Sequence, residues 1–173
     1  MPDAADARFS ALLNAHGGLL WRIAGAYSRT RPDREDLYQE TLLQVWRALP
    51  AFRGDASERT WITRIAFNVA LGTVRREAGR RTADAAEAVE AAPAPGPDPA
   101  EAVALADDVA RLYAALGRLS EVDRALVLLA LDGRSHAEMA DVLGLSVVNV
   151  GVRLHRARRH LAGRLADPLP ALP

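Results

Sequence analysis

Residues 135–161 read SHAEMADVLGLSVVNVGVRLHRARRHL, and this stretch decides the fold. Ser135-His136-Ala137-Glu138 has the S-x-x-E form of a capping box, which opens a helix. Ala140, Gly144 and Val150 then fall at the offsets of a helix-turn-helix. A small residue lets two helices approach, a glycine makes the turn, and a β-branched residue packs behind the second helix. Ser146 is placed to cap that second helix. At about 100° per residue, Val147, Val150, Leu154, Ala157, Leu161 and Leu165 share one face. The opposite face carries Val148, Asn149, Val152, Arg156 and Arg159, flanked by Arg153. Five Arg lie within residues 153–164, with His155 and His160 among them. One reading is a recognition helix in a DNA major groove, with Arg on phosphates and guanine and Asn on a base edge. The blander one is a solvated basic face on an ordinary helix pair. Cap, turn and Arg density together favour DNA. Val148 and Val152 on the outer face leave two readings open: contact with thymine methyls, or packing against a protein surface when DNA is absent.

The same helical periodicity runs outward through the chain. Ala, the strongest helix former, is abundant, and there are no alternating β-branched runs and no Asn-Gly or Asp-Gly hairpin turns. The pattern predicts helices near 5–15, 18–29, 33–48, 58–78, 99–117, 120–132, 135–143 and 146–165. Gly17-Gly18 separates the first two, Leu49-Pro50 ends the third, and Phe52-Arg53-Gly54-Asp55 makes a loop. Asp33 and Ser57 are the expected N-caps.

One sharp compositional break divides the chain. Residues 82–108 hold seven acids, no Arg, and Pro93, Pro95, Pro97 and Pro99. The flanking blocks are basic, with 13 Arg against 9 acids over residues 1–81 and 9 Arg against 6 acids over 109–173. The zero net charge of the 173 residues is thus an average over two basic blocks and an acidic connector. Proline there lacks an N–H and restricts its predecessor, so this core forms neither a helix nor a central strand. The expected architecture is all-α, with small helical domains at 1–80 and 99–167 joined by a flexible acidic Pro-rich linker at 81–98.

Composition also excludes function classes. All 22 basic residues are Arg, so a Walker-type phosphate loop and a Schiff-base lysine are ruled out. The absence of Cys removes disulfides, thiolate zinc sites and thiol nucleophiles. His16, His136, His155 and His160 show no metal-ligand spacing with carboxylates. No metal, no cofactor and no catalytic site are expected. The N-terminus MPDAADARFSALL starts acidic and lacks the long apolar core of a secretory signal. No stretch approaches the roughly 20 apolar residues of a membrane span, so a soluble, cytoplasmic protein is expected.

Two surfaces in the first half carry further signals. In DREDLYQETLLQVWRA, residues 33–48, Leu37, Tyr38, Leu42, Val45, Trp46 and Leu49 make a wide apolar arc. Asp36, Gln39, Glu40, Leu43 and Arg47 lie opposite. Leu43 within that polar stripe is either a partly shielded surface residue or the apolar centre of a protein-binding patch. In ERTWITRIAFNVALGTVRREA, residues 58–78, Trp61, Arg64, Asn68, Gly72 and Arg75 fall on one line, and Arg76, Arg80 and Arg81 extend its positive end. Trp61 alone reads as core. The strip as a whole suits single-stranded nucleic acid, with bases stacked on rings and Arg on the backbone, and with Asn available to an unstacked base edge.

DREDLYQETLLQVWRALPAFRG followed by TWITRIAFNVALGTVRR resembles the second conserved region of sigma-70-type initiation factors, and LSEVDRALVLLALDGRSHAEMADVLGLSVVNVGVRLHRARRHL resembles their fourth. With these two regions and a short linker, the chain resembles the extracytoplasmic-function group. That resemblance implies a factor that binds core RNA polymerase and directs it to promoter DNA. By motif position it implies that Asp36, Leu37, Gln39, Glu40, Leu43 and Trp46 belong to the helix docking on the polymerase clamp. It implies that a minus-ten base is flipped into a pocket at Ala48, Phe52, Ile65 and Asn68, with Arg64, Arg75 and Arg76 on the backbone nearby. Trp61 joins this set from its place on the strip. It implies that Ser146, Asn149, Arg153 and Arg156 read the minus-thirty-five duplex, to which the face pattern adds Val148, Val152 and Arg159. An anti-sigma factor is a frequent partner of such proteins, although nothing in the sequence points to one here. Gly72 stands where many members have Asp or Asn, and Asn149-Val150-Gly151-Val152 replaces a Thr-Val-Lys-Ser type of segment that supplies a phosphate-binding Lys.

Such a factor's task is energetic, since each flipped base costs a few kcal/mol. A free linker of about 20 residues spans about 25 Å, against roughly 58 Å for about 17 base pairs between promoter elements. Weak promoter binding by the free protein follows. The acidic linker is either a solvated spacer, a mask over the basic domains, or a nucleic-acid mimic in the polymerase channel, the route the resemblance favours. Two rival functions are a stand-alone helix-turn-helix repressor and a protein-binding helical adaptor. A repressor dimerises to bind operators, and no heptad dimerisation helix is visible.

Overall fold

The computed structural model describes residues 4–83 and 103–166, with side chains over 6–80 and 109–163. Residues 84–98 of the expected linker and the tail DPLPALP lie outside the described residues. The described residues form two compact units. The first holds α1 (Ala4–Tyr27), α2 (Arg31–Ala48), a 3-10 turn at Leu49–Ala51 and α3 (Glu58–Ala83). The second holds α4 (Val103–Gly117), α5 (Glu121–Leu131), α6 (His136–Leu143) and α7 (Val147–Ala166). Among the described residues there is no strand.

In the first unit the three long helices pack mutually around Leu12, Leu20, Ile23, Leu37, Val45, Ile62, Phe67 and Ala70. Each large side chain fully withdrawn from water stabilises by about 1.5–3 kcal/mol. Tyr27 meets Phe67 edge to face, with ring centroids 6.3 Å apart. Buried hydroxyls are satisfied locally: Ser28 donates to the Ala24 carbonyl and Thr41 to the Leu37 carbonyl, both at 2.8 Å.

The structure corrects the sequence reading at several points. The expected helices 5–15 and 18–29 are one helix of 24 residues running through Gly17-Gly18. The two glycines cost about 1 kcal/mol each in a helix. The buried residues Leu12, Leu19, Leu20 and Ile23 lie on either side of them and outweigh that cost. Gly17 also makes room, since a Cβ there would lie 3.3 Å from the Tyr38 hydroxyl. The cap of α2 is Thr30, not Asp33. Asp33 is the reciprocal member of a capping box: its N–H donates to Thr30 Oγ1 at 3.2 Å, and its carboxylate accepts from the Thr30 N–H at 3.0 Å. Helix α3 continues to Ala83, three residues into the stretch read as linker. Ser57 does cap α3, accepting from the Thr60 N–H at 3.1 Å.

In the second unit, α4, α5 and α6 all pack on α7. Leu116, Leu126, Leu129, Met139, Val150 and Leu154 are almost wholly buried. Arg124 ends α4 by donating to the Leu116 and Gly117 carbonyls at 3.0 and 2.9 Å, cation against helix C-terminus. Ser135 and Glu138 form the expected capping box of α6, and Gly144 makes the turn at φ +67°, a left-handed backbone that favours glycine. The Ser135 N–H, donating to the Glu138 carboxylate at 2.8 Å, and the Arg134 guanidinium at 2.9 Å hold that carboxyl down at about 2. Val147, expected on the buried face of α7, is half exposed. It is the first residue of the helix, one turn short of the core that takes Val150.

Candidate nucleic-acid and partner interfaces

The outer surface of α2 is one candidate interface. Asp36 and Gln39 are exposed and Glu40 is half-buried, its carboxylate accepting from Gln44 Nε2 at 2.7 Å. Leu43 and Trp46 stand out among them at 40% and 38% exposure. Trp46, expected on the inward arc, stands near the end of α2 at the rim, edge-on to Phe9 of α1 with centroids 5.1 Å apart. Leu37 is different: at 5% exposure it belongs to the core, because its turn of α2 faces α1 and α3. It does not join the exposed set. A patch with two large apolar side chains among polar and charged neighbours is the anatomy of a protein-binding surface.

The second candidate surface runs from the loop before α3 along that helix. Phe52 and Trp61 meet at 4.8 Å between centroids, their planes inclined by 37°. The Arg8 guanidinium lies 5.3 Å from the Phe52 ring and pairs with Glu58 at 3.5 Å. Farther along, Arg64 is half-buried, Asn68, Arg75 and Arg76 are exposed, and Arg76 Nη2 donates to Thr73 Oγ1 at 3.0 Å. Ala48 and Ile65 are half-buried. Trp61 is likewise half-buried, not core. Gly54 bends the intervening loop at φ +82°. Aromatic rings beside guanidinium groups suit unstacked bases and their phosphates. Sequence reading assigned nothing to Arg8 or Phe9, because their aromatic partners lie more than 35 residues away.

The third surface is the outer face of α7. Ser146 accepts from the Asn149 N–H at 3.2 Å, as a cap should. Val148 is 77% exposed and Val152 45%. Asn149, Arg156 and Arg159 are exposed beside them. Arg153 departs from this face. Its Nε donates to Asp123 Oδ1 at 2.8 Å and its Nη2 to Ser120 Oγ at 3.3 Å, at the N-terminus of α5. Six of the seven residues expected to read duplex DNA therefore stand together, and the seventh is engaged by its own fold. Among the described residues there is no group of three or more His, Asp or Glu that could hold a metal ion, and no helix is long and apolar enough to cross a membrane.

The comparisons with known proteins parallel this layout. The family model for sigma-70 region 2 matches residues 12–88, and that for sigma-70 region 4 matches residues 110–161. The chain is 34% identical over 164 residues to the RNA polymerase sigma factor CnrH of Cupriavidus metallidurans, covering 91% of this chain and 86% of CnrH. It is 33% identical over 165 residues to the ECF RNA polymerase sigma factor SigE of Mycolicibacterium smegmatis, covering 95% of this chain and 64% of SigE. This chain thus spans less than two thirds of SigE. Among solved structures it resembles the sigma factor RpoE of Bartonella quintana, in complex with the anti-sigma factor NepR. The TM-score there is 0.75 at 25% identity, over 93% of this chain and 99% of that one. It also resembles CnrH bound to the cytosolic domain of CnrY, with TM-score 0.67 and 30% identity over 92% and 89% of the two chains.

Proposed function

This chain belongs to the sigma-70 family, in its extracytoplasmic-function group, and from that premise we propose that it is a transcription initiation factor that binds core RNA polymerase and directs it to specific promoters. The observation that carries the reading is the combination, in one chain, of an apolar patch among polar residues on α2 with a cation-aromatic strip on α3 and an Arg-rich helix-turn-helix. Neither a repressor nor an adaptor has use for all three.

The division of labour is assigned as follows. Residues 1–83 dock on polymerase and hold the minus-ten strand, 84–98 tether, and 99–167 read the minus-thirty-five duplex. Leu43 and Trp46 anchor the docking patch, with Asp36, Gln39 and Glu40 at its rim. Ala48, Phe52, Ile65 and Asn68 receive the flipped base, with Trp61 beside Phe52, while Arg64, Arg75 and Arg76 neutralise the backbone nearby. Opening a promoter loses stacking, a few kcal/mol for each flipped base, and base-aromatic contacts worth about 1–3 kcal/mol each offset this. Two weak DNA contacts on one tether become strong when polymerase fixes their spacing. The polymerase supplies the chemistry, so the chain itself is no enzyme. It works where the polymerase is, in the cytoplasm. An anti-sigma partner, of the kind in complex with RpoE, is proposed on that likeness.

Run-off transcription with purified core polymerase, with and without this protein, on genomic fragments tests the reading. Discrete transcripts that require the protein are expected. Transcript patterns indifferent to its presence would overturn it.

A further inference from the structure

We propose that Val148 and Val152 are a methyl-reading pair, which makes the second unit selective for 5-methylated pyrimidines, thymine above all, in the duplex it binds. The inference rests on the reading of α7 as the duplex-contacting helix and adds to it the chemistry of two positions.

The two valines are four residues apart and share the outer face of α7, at 77% and 45% exposure. Val148 is the second residue of the helix, in the first turn, where recognition helices meet base edges. The side chains around the pair decide the occupant. Asn149, His155, Arg156 and Arg159 are all exposed there. An apolar protein partner would have to strip water from those polar and charged groups. A polyanion gains from them, since Arg neutralises phosphate and releases counterions.

Within a major groove, valine has one chemically matched target. It neither donates nor accepts a hydrogen bond, so against a guanine, adenine or cytosine edge it strips water and returns nothing. Thymine alone of the four bases offers an apolar group there, the C5 methyl. The β-branched side chain has few rotamers, so its methyls are held in place before contact. Four residues of helix rise about 6 Å, close to two base steps of about 3.4 Å. A helix lying along the groove thus presents its two valines to pyrimidines about two steps apart. Arg153, the neighbour of Val152, is turned toward Asp123.

The test uses the full chain with core polymerase. Duplexes randomised upstream of a fixed start region are enriched for binding, and each enriched thymine is replaced in turn by deoxyuridine, which lacks only the methyl. We expect one or two thymines at which this weakens binding about fourfold, the value of one buried methyl. At the same positions a 5-methylcytosine–guanine pair binds about fourfold better than cytosine–guanine. In V148S/V152S the thymine-to-deoxyuridine ratio falls to about one. Enrichment without thymine, insensitivity to deoxyuridine, or an unchanged ratio in the double variant overturns the inference and leaves the promoter-directing function standing. The last result would assign the valines to a protein contact. Failure to enrich any sequence would overturn the duplex reading itself, and the inference with it.

Discussion

Arg153 Nε donates to Asp123 Oδ1 at 2.8 Å, so a helix expected to reach outward to DNA is tied by its first arginine to the start of α5. Ser120 completes the link: its Oγ caps α5 through the Asp123 N–H at 3.2 Å and accepts from Arg153 Nη2 at 3.3 Å. The two charged side chains keep 32% and 27% of their surface in water, which screens the pair. Asp123→Asn should therefore lower the stability of this unit by no more than about 1 kcal/mol in urea titrations. Its effect on DNA should be larger. With its carboxylate gone, Arg153 is released to a phosphate, and the salt dependence of nonspecific duplex binding steepens by about one unit of log K per log salt. An unchanged slope would make Arg153 a positioning residue that sets the angle between α5 and α7.

Gly25 and Arg34 make a second such pair, inside the first unit. The Arg34 guanidinium lies 4.1 Å from the Trp21 ring, and its Nε and Nη2 donate to the Trp21 carbonyl at 3.2 and 3.0 Å. A Cβ on Gly25 would sit 2.7 Å from Arg34 Cζ. Gly25→Ala should thus displace the guanidinium and lose charge-assisted hydrogen bonds of about 1.5–3 kcal/mol, against about 1 kcal/mol gained in helix propensity. The net is a destabilisation of about 1 kcal/mol. In an Arg34→Ala background the sign reverses, because only the propensity gain remains. Chemical denaturation of the four proteins of this cycle reads both signs.

Glu138 carries the acid sensitivity of the helix-turn-helix. Its carboxyl is lowered from 4.5 to about 2 by the Ser135 backbone N–H and by Arg134. The unfolded chain takes up the proton first as pH falls, so the stability this group contributes is complete above about 4.5 and is lost between there and about 2. Glu138→Gln should flatten the pH dependence of the urea midpoint across that window. An equally steep profile in the variant would place the acid sensitivity elsewhere.

What could be read from the sequence was local. The α6–α7 hairpin follows from a cap, a left-handed glycine and a β-branched core residue within 16 positions, and each of the three stands where expected. The errors arose where tertiary packing overrode a local rule. Gly17-Gly18 looks like a break until the leucine stripe on either side is seen to bury against α2 and α3. Thr30 was missed as a cap because its reciprocal partner is Asp33 instead of the usual Glu. The engagement of Arg153 spans 30 residues, and no periodicity reports a partner at that distance. The same holds for Arg8 against Phe52. The face of α7 was legible as a surface, since helical phase alone separates Val148 and Val152 from Val150 and Leu154.

Leu43 gives the most direct test of the docking patch on α2. A leucine 40% exposed between exposed polar residues contributes little to the fold, and surface substitutions of this kind shift stability by no more than about 0.5 kcal/mol. If the patch is the polymerase contact, Leu43 is near its centre, where removal of one anchor costs about 2 kcal/mol or more. Leu43→Asp should then weaken association with core polymerase by at least about thirtyfold, while the melting curve of the free protein stays in place. Trp46→Ala should weaken association as well, but with some loss of stability, because Trp46 also packs against Phe9. Leu37→Ala should do the reverse: this side chain is in the core, so stability falls by about 2–5 kcal/mol and the affinity of the protein that remains folded is unchanged. Measuring melting and polymerase affinity on all three separates contact from core. Leu43→Asp protein that binds polymerase as tightly as the parent would remove α2 from the interface.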